Sequence, residues 1–330
     1  MIINRLKKRV IFSLFLLFGI ISLITFCERA AMANSLVSLN LSLNEQQQLL
    51  HHMQVLSSDA FQGRRIGTLG SVNSQNYLVK VLTQQQVTPY AGHYRHAFVQ
   101  HSWFTEKHGT NIIAAVKGRL HPDKYIVLTA HYDHLGVKNH QIYHGADDNA
   151  SGTAALLALS LSIQKAPLSH SVLFIFTDGE ESNLLGSKHF IQQNNTLLKQ
   201  VLIDINLDML SGDQRTTCLH FISSALSKNF NVNNQQLIKL ASASDFCLKH
   251  GFKMLNKAPL YSRHRIDWQG ASDHASFHRA GIPYIYYGVG SDVNYHTQRD
   301  QYQRTNLPFF IRATQQILQQ IEFVDRHSTS

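Results

Sequence analysis

Two neighbouring aspartates, Asp147 and Asp148, lie in the stretch HGADDNASG, just before an apolar segment. The chain has only 21 Asp and Glu residues against 30 Lys and Arg residues among its 330, so adjacent acids stand out. Neighbouring carboxylates repel each other unless water solvates them or a cation lies between them. The pair therefore indicates either an ordinary solvated loop or a cation site.

Further acids and a histidine follow apolar segments that are typical of buried strands. His131 and Asp133 follow IVLTA, Glu180 and Glu181 follow VLFIF, and Asp208 follows VLIDINL. In open α/β sheets, ligands bind outside the carboxyl ends of the strands. We therefore expect these side chains to meet at one edge of a sheet.

His296, in VNYHTQRD, follows one more predicted strand, IPYIYYG. Taken singly, each of these residues could be a solvated loop residue or a helix cap. Two histidines with several carboxylates and no thiol form a ligand set that suits a divalent ion such as zinc. The acids outnumber what one zinc needs, which favours a two-metal site.

The elements that must position these residues alternate along the chain from about residue 110. A composition of 44% hydrophobic and 15% charged residues is that of a globular protein. Apolar strands alternating with helices predict an α/β fold, a three-layer α/β/α sandwich around a mixed, mostly parallel central sheet. The predicted strands are NIIAAVKG, KYIVLTAHYD, SVLFIFTDGE, QVLIDINLDM and IPYIYYG, and the predicted helices are residues 71–85, GTAALLALSLSIQ, SNLLGSKHFIQQ and a last one at NLPFF.

Residues 211–270 lack this alternation and are rich in Asn, Ser and Lys. We interpret them as an excursion that roofs the active site, within a single domain over 34–330. The segment contains Cys218 and Cys247, which could pair in an oxidising compartment, although the sequence leaves their pairing open.

The first residues have the features of an export signal. The basic stretch NRLKKRV precedes an apolar run over 10–26, and Ala31 and Ala33 form an A-x-A cleavage pattern. We expect a signal peptide over 1–33 and an exported domain, periplasmic or secreted. The alternatives are an uncleaved membrane anchor and lipidation at Cys27, and only these would give the protein a membrane contact.

Removal of this segment changes the charge of the protein. It takes away five basic residues and one acid, so the formal net charge falls from +9 to +5. Much of the basic excess therefore belongs to targeting, and we expect no nucleic-acid partner.

Six motifs resemble, in their order, those of the secreted co-catalytic di-zinc aminopeptidases. That group includes bacterial leucyl aminopeptidases, aminopeptidase Y and the glutamate carboxypeptidases. The resemblance runs from about residue 57 to residue 301. It implies the zinc-dependent exopeptidase fold (phosphorylase/hydrolase-like), two Zn²⁺ per chain with Co²⁺ or Mn²⁺ as alternatives, and peptide substrates with a free N-terminus. The motifs are TAHYDHLG, HGADDNASG, TDGEESNLLGS, INLDM, SDHASFHRAGIPYIYYG and YHTQRD.

The resemblance also implies the metal ligands. His131 and Asp208 would be the terminal ligands of one metal. Glu181 and His296 would be those of the other metal, and Asp148 would bridge the two. His134, also in TAHYDHLG, is an alternative ligand, but the histidine before it fits the strand end and the H-x-D pairing better.

Three further residues would act on the reaction or on the ligands. Glu180 would be the general base, taking a proton from water and passing it to the leaving amine. Asp133 would orient the imidazole of the first metal's histidine, and Asp273 would do the same for the second metal's histidine. Tyr295 is similar in position to a tyrosine that stabilises the oxyanion in some members. Arg64, in the stretch RRIG ahead of the six motifs, is predicted only to pack.

Three other functions compete with the predicted metalloaminopeptidase. A glutaminyl-peptide cyclotransferase has this fold with a single zinc, but DDNASG resembles the peptidases. A non-catalytic binding protein on the same fold need not keep its ligands, and all five are present here. A carboxypeptidase for acidic peptides usually carries a larger insertion ahead of the catalytic strands, for which residues 83–111 leave no room.

Overall fold

The computed structural model describes residues 39–101, 106–252 and 267–329. The chain divides into a short unit, Met1–Leu39, and a compact unit, Asn40–Ser330. The predicted signal peptide, residues 1–33, lies outside the described residues. Across the described ranges, no helix combines the length and the apolar character needed to cross a membrane.

A mixed sheet of nine strands forms the centre of the compact unit. The strands in the described residues are β1 (Thr88–Pro89), β2 (Arg95–His101), β3 (Glu106–Val116), β4 (His121–His131), β5 (Gly136–Lys138), β6 (Gln141–Tyr143), β7 (His170–Thr177), β8 (Val201–Leu207), β9 (Leu219–Ser224), β10 (Leu248–His250) and β11 (Tyr284–Gly288). The order in the sheet is β1-β3-β7-β4-β8-β11-β9-β10, with β2 paired to β3, while β5 and β6 form a separate hairpin.

The four central strands, β7, β4, β8 and β11, are parallel to one another. All residues of β7 and β8 are buried, which explains why their sequences are almost continuously apolar. The register pairs His131 with Thr177 and Thr129 with Asn206. The carboxyl ends of β4, β7 and β8 therefore lie close to one level, so the residues that follow them meet at one edge.

Helices cover both faces of the sheet. The helices are α1 (Leu43–Leu56), α2 (Leu69–Gln84), α3 (Gly152–Lys165), α4 (Leu185–Gln193), α5 (Asn195–Leu198), α6 (Asn234–Ala243), α7 (His274–Arg279) and α8 (Leu307–Arg326). Helix α3, buried along most of its length, packs on the central strands and is flanked by α1, α2 and α8. On the other face, Phe190, Leu197 and Phe277 of α4, α5 and α7 pack against Ile113 and Val127 of the sheet.

Two parts of the segment 211–270, Leu219–Ser224 and Leu248–His250, are strands of the sheet, which corrects the interpretation of the whole segment as an excursion from it. Strand β9 is antiparallel to β11, and β10 is parallel to β9. These strands are short and partly exposed, so they lack the apolar run by which the central strands were recognised. The roof over the site was predicted for the whole of 211–270, of which residues 253–266 lie outside the described residues.

A disulfide bond joins Cys218 and Cys247, a pairing that the sequence left open. The sulfur atoms are 2.07 Å apart. The two cysteines directly precede Leu219 and Leu248, which are paired residues of β9 and β10. The bond therefore ties together the starts of the two strands at this end of the sheet.

Candidate active site

The predicted site residues gather at the carboxyl edge of the parallel strands. His131 ends β4, and the segment with Glu180 and Glu181 follows β7. Asp208 follows β8, and His296 lies in the loop after β11. This placement is the one expected from the strand-end positions of these residues.

Three of these side chains form a first group, which we call the His131 cluster: His131, Asp148 and Asp208. The Nε2 atom of His131 lies 3.5 Å from Oδ1 of Asp148 and 3.4 Å from Oδ1 of Asp208. All three side chains are buried, and their ligand atoms lie within 4.8 Å of one another. Such an arrangement of one imidazole and two carboxylates can hold a divalent ion.

A second group, the Glu181 cluster, contains His134, Asp148, Glu181 and His296. The Nε2 atom of His296 lies 3.1 Å from Oδ2 of Asp148 and 3.2 Å from Oε1 of Glu181. The Nδ1 atom of His134 lies 2.9 Å from the same Glu181 oxygen and 3.6 Å from the same Asp148 oxygen. The structure therefore brings together all five predicted ligands and adds His134. From the sequence, His134 was considered an alternative ligand, but His131 was favoured.

Asp148 belongs to both clusters and presents a different oxygen to each. Its Oδ1 atom faces His131, whereas its Oδ2 atom faces the Glu181 cluster. Oδ2 of Asp148 and Oδ1 of Asp208 are buried without a hydrogen-bond partner among the described residues. Buried carboxylate oxygens without a donor are strongly disfavoured unless a cation compensates them. The residues present therefore fit a pair of divalent cations.

The charges of the site alter the pKa values of its members. Desolvation raises the pKa of Glu180 well above its usual value, and Asp208 adds to the rise while His131 opposes it. Desolvation alone would lower the pKa of His296, but the carboxylates of Asp148 and Glu181 beside its ring raise that pKa to about 10. In the protein alone, protonated histidines thus offset part of the negative charge that a metal would otherwise balance.

Asp133 contacts both the ring of His131 and the backbone of Glu180. Nδ1 of His131 donates to the backbone carbonyl of Asp133 over 3.2 Å, which leaves the Nε2 lone pair directed at the His131 cluster. The Asp133 carboxylate lies 3.6 Å from Nδ1 of that ring and accepts a 3.0 Å hydrogen bond from the backbone N–H of Glu180. The orienting role predicted for its carboxylate is therefore shared with its carbonyl.

The stretch HGADDNASG is tied to the rest of the edge by its polar side chains. Oδ1 of Asp147 accepts hydrogen bonds from the backbone N–H and the hydroxyl of Ser211. The Asp300 carboxylate accepts from the backbone N–H groups of Asp147 and Asp148, at 2.7 and 3.0 Å. The contacts of Asp147 are thus structural. Asp300 is a positioning residue that the sequence did not reveal.

Two further residues, Asp273 and Tyr295, lie next to the clusters. Asp273 accepts a hydrogen bond from the hydroxyl of Thr177, and its strongest charge interaction is with His131. This pairing differs from the predicted one with His296. The ring of Tyr295 stacks on His296 with a centroid distance of 3.8 Å and is 38% exposed, so it lies at the mouth of the site.

Arg64 connects the turn after β4 to the loop that carries Asp148. Its guanidinium is fully buried and donates to the backbone carbonyls of Leu56, Tyr132, His144 and Gly145 over 2.6–2.8 Å. Two of these carbonyls begin HGADDNASG, and one lies in the turn after β4. The stretch RRIG, in which Arg64 lies, carries no sequence signal for such partners. The sequence therefore predicted packing for Arg64 and not these hydrogen bonds.

Arg64 also brings a fixed positive charge to the site. Burial lowers the pKa of Arg64 to about 10, and the carboxylates of Asp300, Asp148 and Asp133 oppose that shift. The guanidinium therefore stays protonated at neutral pH. It partly balances the buried acids while it holds their loops.

Arg64→Lys should destabilise the protein, because an ammonium group cannot reach four carbonyls that a planar fork satisfies. Loss of two or more hydrogen bonds from a charged donor should cost about 3 kcal/mol of unfolding free energy. Urea denaturation measures this loss. Arg65→Lys is the matched control, because Arg65 is exposed, and it should change stability by less than about 0.5 kcal/mol. Equal unfolding midpoints for the two variants would contradict the role of Arg64.

The chain resembles known proteins in both sequence and fold. Aminopeptidase YwaD of Bacillus subtilis (strain 168) is 29% identical over 182 residues, covering 54% of this chain and 35% of that protein. The chain therefore spans about a third of the length of this relative.

Two solved structures share the architecture. A zinc aminopeptidase from Bacillus subtilis, BSAP, aligns with a TM-score of 0.63 at 15% identity, over 84% of this chain and 94% of that one. Porphyromonas gingivalis glutaminyl cyclase aligns with a TM-score of 0.67 at 18% identity, over 86% of this chain and 99% of that one. At such identities the likeness shows the fold alone, and it confirms the predicted sandwich.

The family can be assigned from the sequence match. Residues 111–321, more than half of the chain, match the sequence model of the family described as "Peptidase family M28". This range contains both metal-binding clusters and Glu180. The predicted resemblance to zinc aminopeptidases is confirmed at the level of the family: the chain belongs to peptidase family M28.

Proposed function

We propose that the protein is a metalloaminopeptidase that binds two zinc ions and removes N-terminal residues from peptides. One observation carries the proposal: the two oxygens of Asp148 face two separate groups of ligand atoms. A single-metal site would need only one such group. Zinc suits the donor set, since imidazole nitrogens and carboxylate oxygens are ligands that it binds in proteins.

Bound zinc ions would polarise the scissile carbonyl and lower the pKa of a water molecule in the site. The residues of the chain then handle the proton. Glu180 lies near the His131 cluster, and its backbone N–H is fixed by Asp133. Its carboxylate would take the proton from water and pass it to the nitrogen of the leaving amine.

The substrate class is inferred from the ligand chemistry of the site and from the relatives of the chain. Zinc ions would balance the carboxylates of the two clusters, so the site would offer metal, and not free negative charge, to a substrate. The N-terminal amine of a peptide, in its unprotonated form, is a nitrogen ligand that zinc can bind. The relative named as an aminopeptidase and the solved zinc aminopeptidase support the same choice.

A glutaminyl cyclase is the second candidate, and the fold match to the Porphyromonas gingivalis enzyme favours it. The cyclase reaction would convert an N-terminal glutamine to a pyroglutamate and release ammonia. The second group of ligand atoms argues for the peptidase, because the cyclase alternative requires one zinc. Substrate tests separate the two reactions.

We also propose that the enzyme acts outside the cytoplasm, periplasmic or secreted, after cleavage at Ala33. The basic stretch, the apolar run and the A-x-A pattern support this location. The disulfide between Cys218 and Cys247 supports it as well, because such bonds persist mainly in oxidising compartments.

The purified protein should release aminomethylcoumarin from aminoacyl substrates and should not act on the N-acetylated forms. A zinc chelator should abolish the activity, and added Zn²⁺ should restore it, because the ions are needed to activate water. An N-terminal glutaminyl peptide, followed by mass spectrometry, runs beside these substrates. Pyroglutamate formation without hydrolysis of any aminoacyl substrate would contradict the proposal and favour the cyclase.

Glu180→Gln should lower kcat by about 10²–10⁴-fold, because the amide cannot accept the proton, while zinc content stays at the wild-type level. Steady-state kinetics and elemental analysis measure the two effects. Glu181→Gln provides the contrast, since it changes a ligand atom and should reduce bound zinc. Glu106→Gln, on the exposed part of β3, is the control for kcat. Zinc loss in Glu180→Gln equal to that in Glu181→Gln would refute the assigned base.

Full-length protein expressed in a bacterial host should be recovered outside the cytoplasm with Asn34 as its first residue. Its intact mass should be two hydrogen atoms below that of the dithiol form and should rise after reduction. Ala33→Leu is the control variant, because a bulky residue at the cleavage position should block processing. A recovered chain that retains residues 1–33 would favour the membrane anchor instead.

A further inference from the structure

The Glu181 cluster brings two imidazoles to the same pair of carboxylate oxygens. Oε1 of Glu181 lies 2.9 Å from Nδ1 of His134 and 3.2 Å from Nε2 of His296. Oδ2 of Asp148 lies 3.6 Å from the first nitrogen and 3.1 Å from the second. Donors bound to a tetrahedral zinc at 2.0–2.1 Å are about 3.3 Å apart. These four separations lie on either side of that value, so each imidazole can share a zinc ion with the two carboxylates.

The His131 cluster is different, because it groups only three protein donors: His131, Asp148 and Asp208. Zinc sites with four protein ligands are typically structural and retain their ion. Sites with three protein ligands keep a position for water or substrate. The two clusters thus differ in the way that separates structural from catalytic zinc sites.

We propose that His134 is a fourth protein ligand and that it makes the Glu181 cluster the tighter of the two zinc sites. The zinc in the His131 cluster is then the more exchangeable ion and the one with an open coordination position. This inference rests on the proposed function, since it assumes that the protein binds two zinc ions.

The surroundings of His134 hold its ring in the orientation that the proposal needs. The side chain is buried, and its ring lies against Gly145, where an added Cβ would be only 2.5 Å from two ring carbons. Gly145 has a φ of +57° and its carbonyl is held by Arg64. Among the described residues, Nε2 of His134 has no hydrogen-bond partner, so the polar contacts of the ring are those of Nδ1 in the cluster.

His134→Asn distinguishes a ligand from a hydrogen-bond donor. The asparagine amide can still donate to Glu181 from near the former Nδ1 position, but it removes the imidazole ligand. Competition with a chelator measures the affinities of the first and second zinc ions. We expect the first affinity in His134→Asn to fall by about 100-fold, because removal even of residues that only orient zinc ligands costs 10–100-fold. The second affinity should change little.

His144→Asn is the matched control, since His144 lies in the adjacent loop and pairs with Asp59 instead. Its two affinities should stay within about 3-fold of the wild type. His134→Ala removes both the ligand and the donor. Wild-type affinity in His134→Asn with weakened affinity in His134→Ala would overturn the proposal, because His134 would then only position Glu181.

X-ray absorption of the wild-type protein with one equivalent of zinc gives a test that does not depend on a variant. Two imidazoles per zinc are expected, from His134 and His296, and one or none would overturn the proposal. Failure here is distinct from failure of the proposed function. A protein that binds two zinc ions and hydrolyses peptides, but shows one imidazole at its first zinc, loses only this inference. A protein that binds fewer than two zinc ions loses both.

Discussion

Repulsion among buried carboxylates is the constraint on which the rest of the structure depends. Asp148, Glu181 and Asp208 converge at one edge of the sheet, where the loss of water makes like charges costly. Divalent cations between them would turn that repulsion into attraction. In the protein alone, two of these acids, Asp148 and Glu181, raise the pKa of His296 and so favour its protonated form.

The fold answers this constraint by fixing the loops before any ion binds. Arg64 donates to carbonyls of two ligand-bearing loops, and Asp300 accepts from the backbone N–H of Asp148. Asn149 donates to the carbonyl at the end of β8. These contacts use backbone groups as partners, so they set the direction of the ligand side chains without competing for their oxygens. A site held in this way needs little rearrangement to accept metal.

The shared carboxylate explains how one short stretch can serve two centres with different tasks. Asp148 contacts both clusters, and the imidazole of His134 lies beside the oxygens of Asp148 and Glu181 in one of them. Membership of peptidase family M28 places this edge in a lineage of metal-dependent peptidases. The unequal donor sets suggest a division between an ion that is held and an ion that takes part in exchange with solvent and substrate.

The sequence by itself determined the sandwich, because buried parallel strands are almost continuously apolar. It also predicted that His131 and Asp208 lie at one edge, where the carboxyl ends of these strands meet. The assignment of five metal ligands came from the resemblance to the zinc aminopeptidases, and the structure brings those five side chains together. The short, partly exposed strands β9 and β10, at one end of the sheet, have no such apolar run and were missed.

Only the tertiary structure decided which other residues complete the site. His134 differs from many structural histidines only by lying 2.9 Å from Glu181, a residue 47 positions away. Arg64 is assigned through carbonyls up to 81 positions away, and the partner of Asp273 proved to be Thr177. Such contacts join backbone and side chains across the chain, and their chemistry depends on distance and direction, which residue types and spacing do not encode.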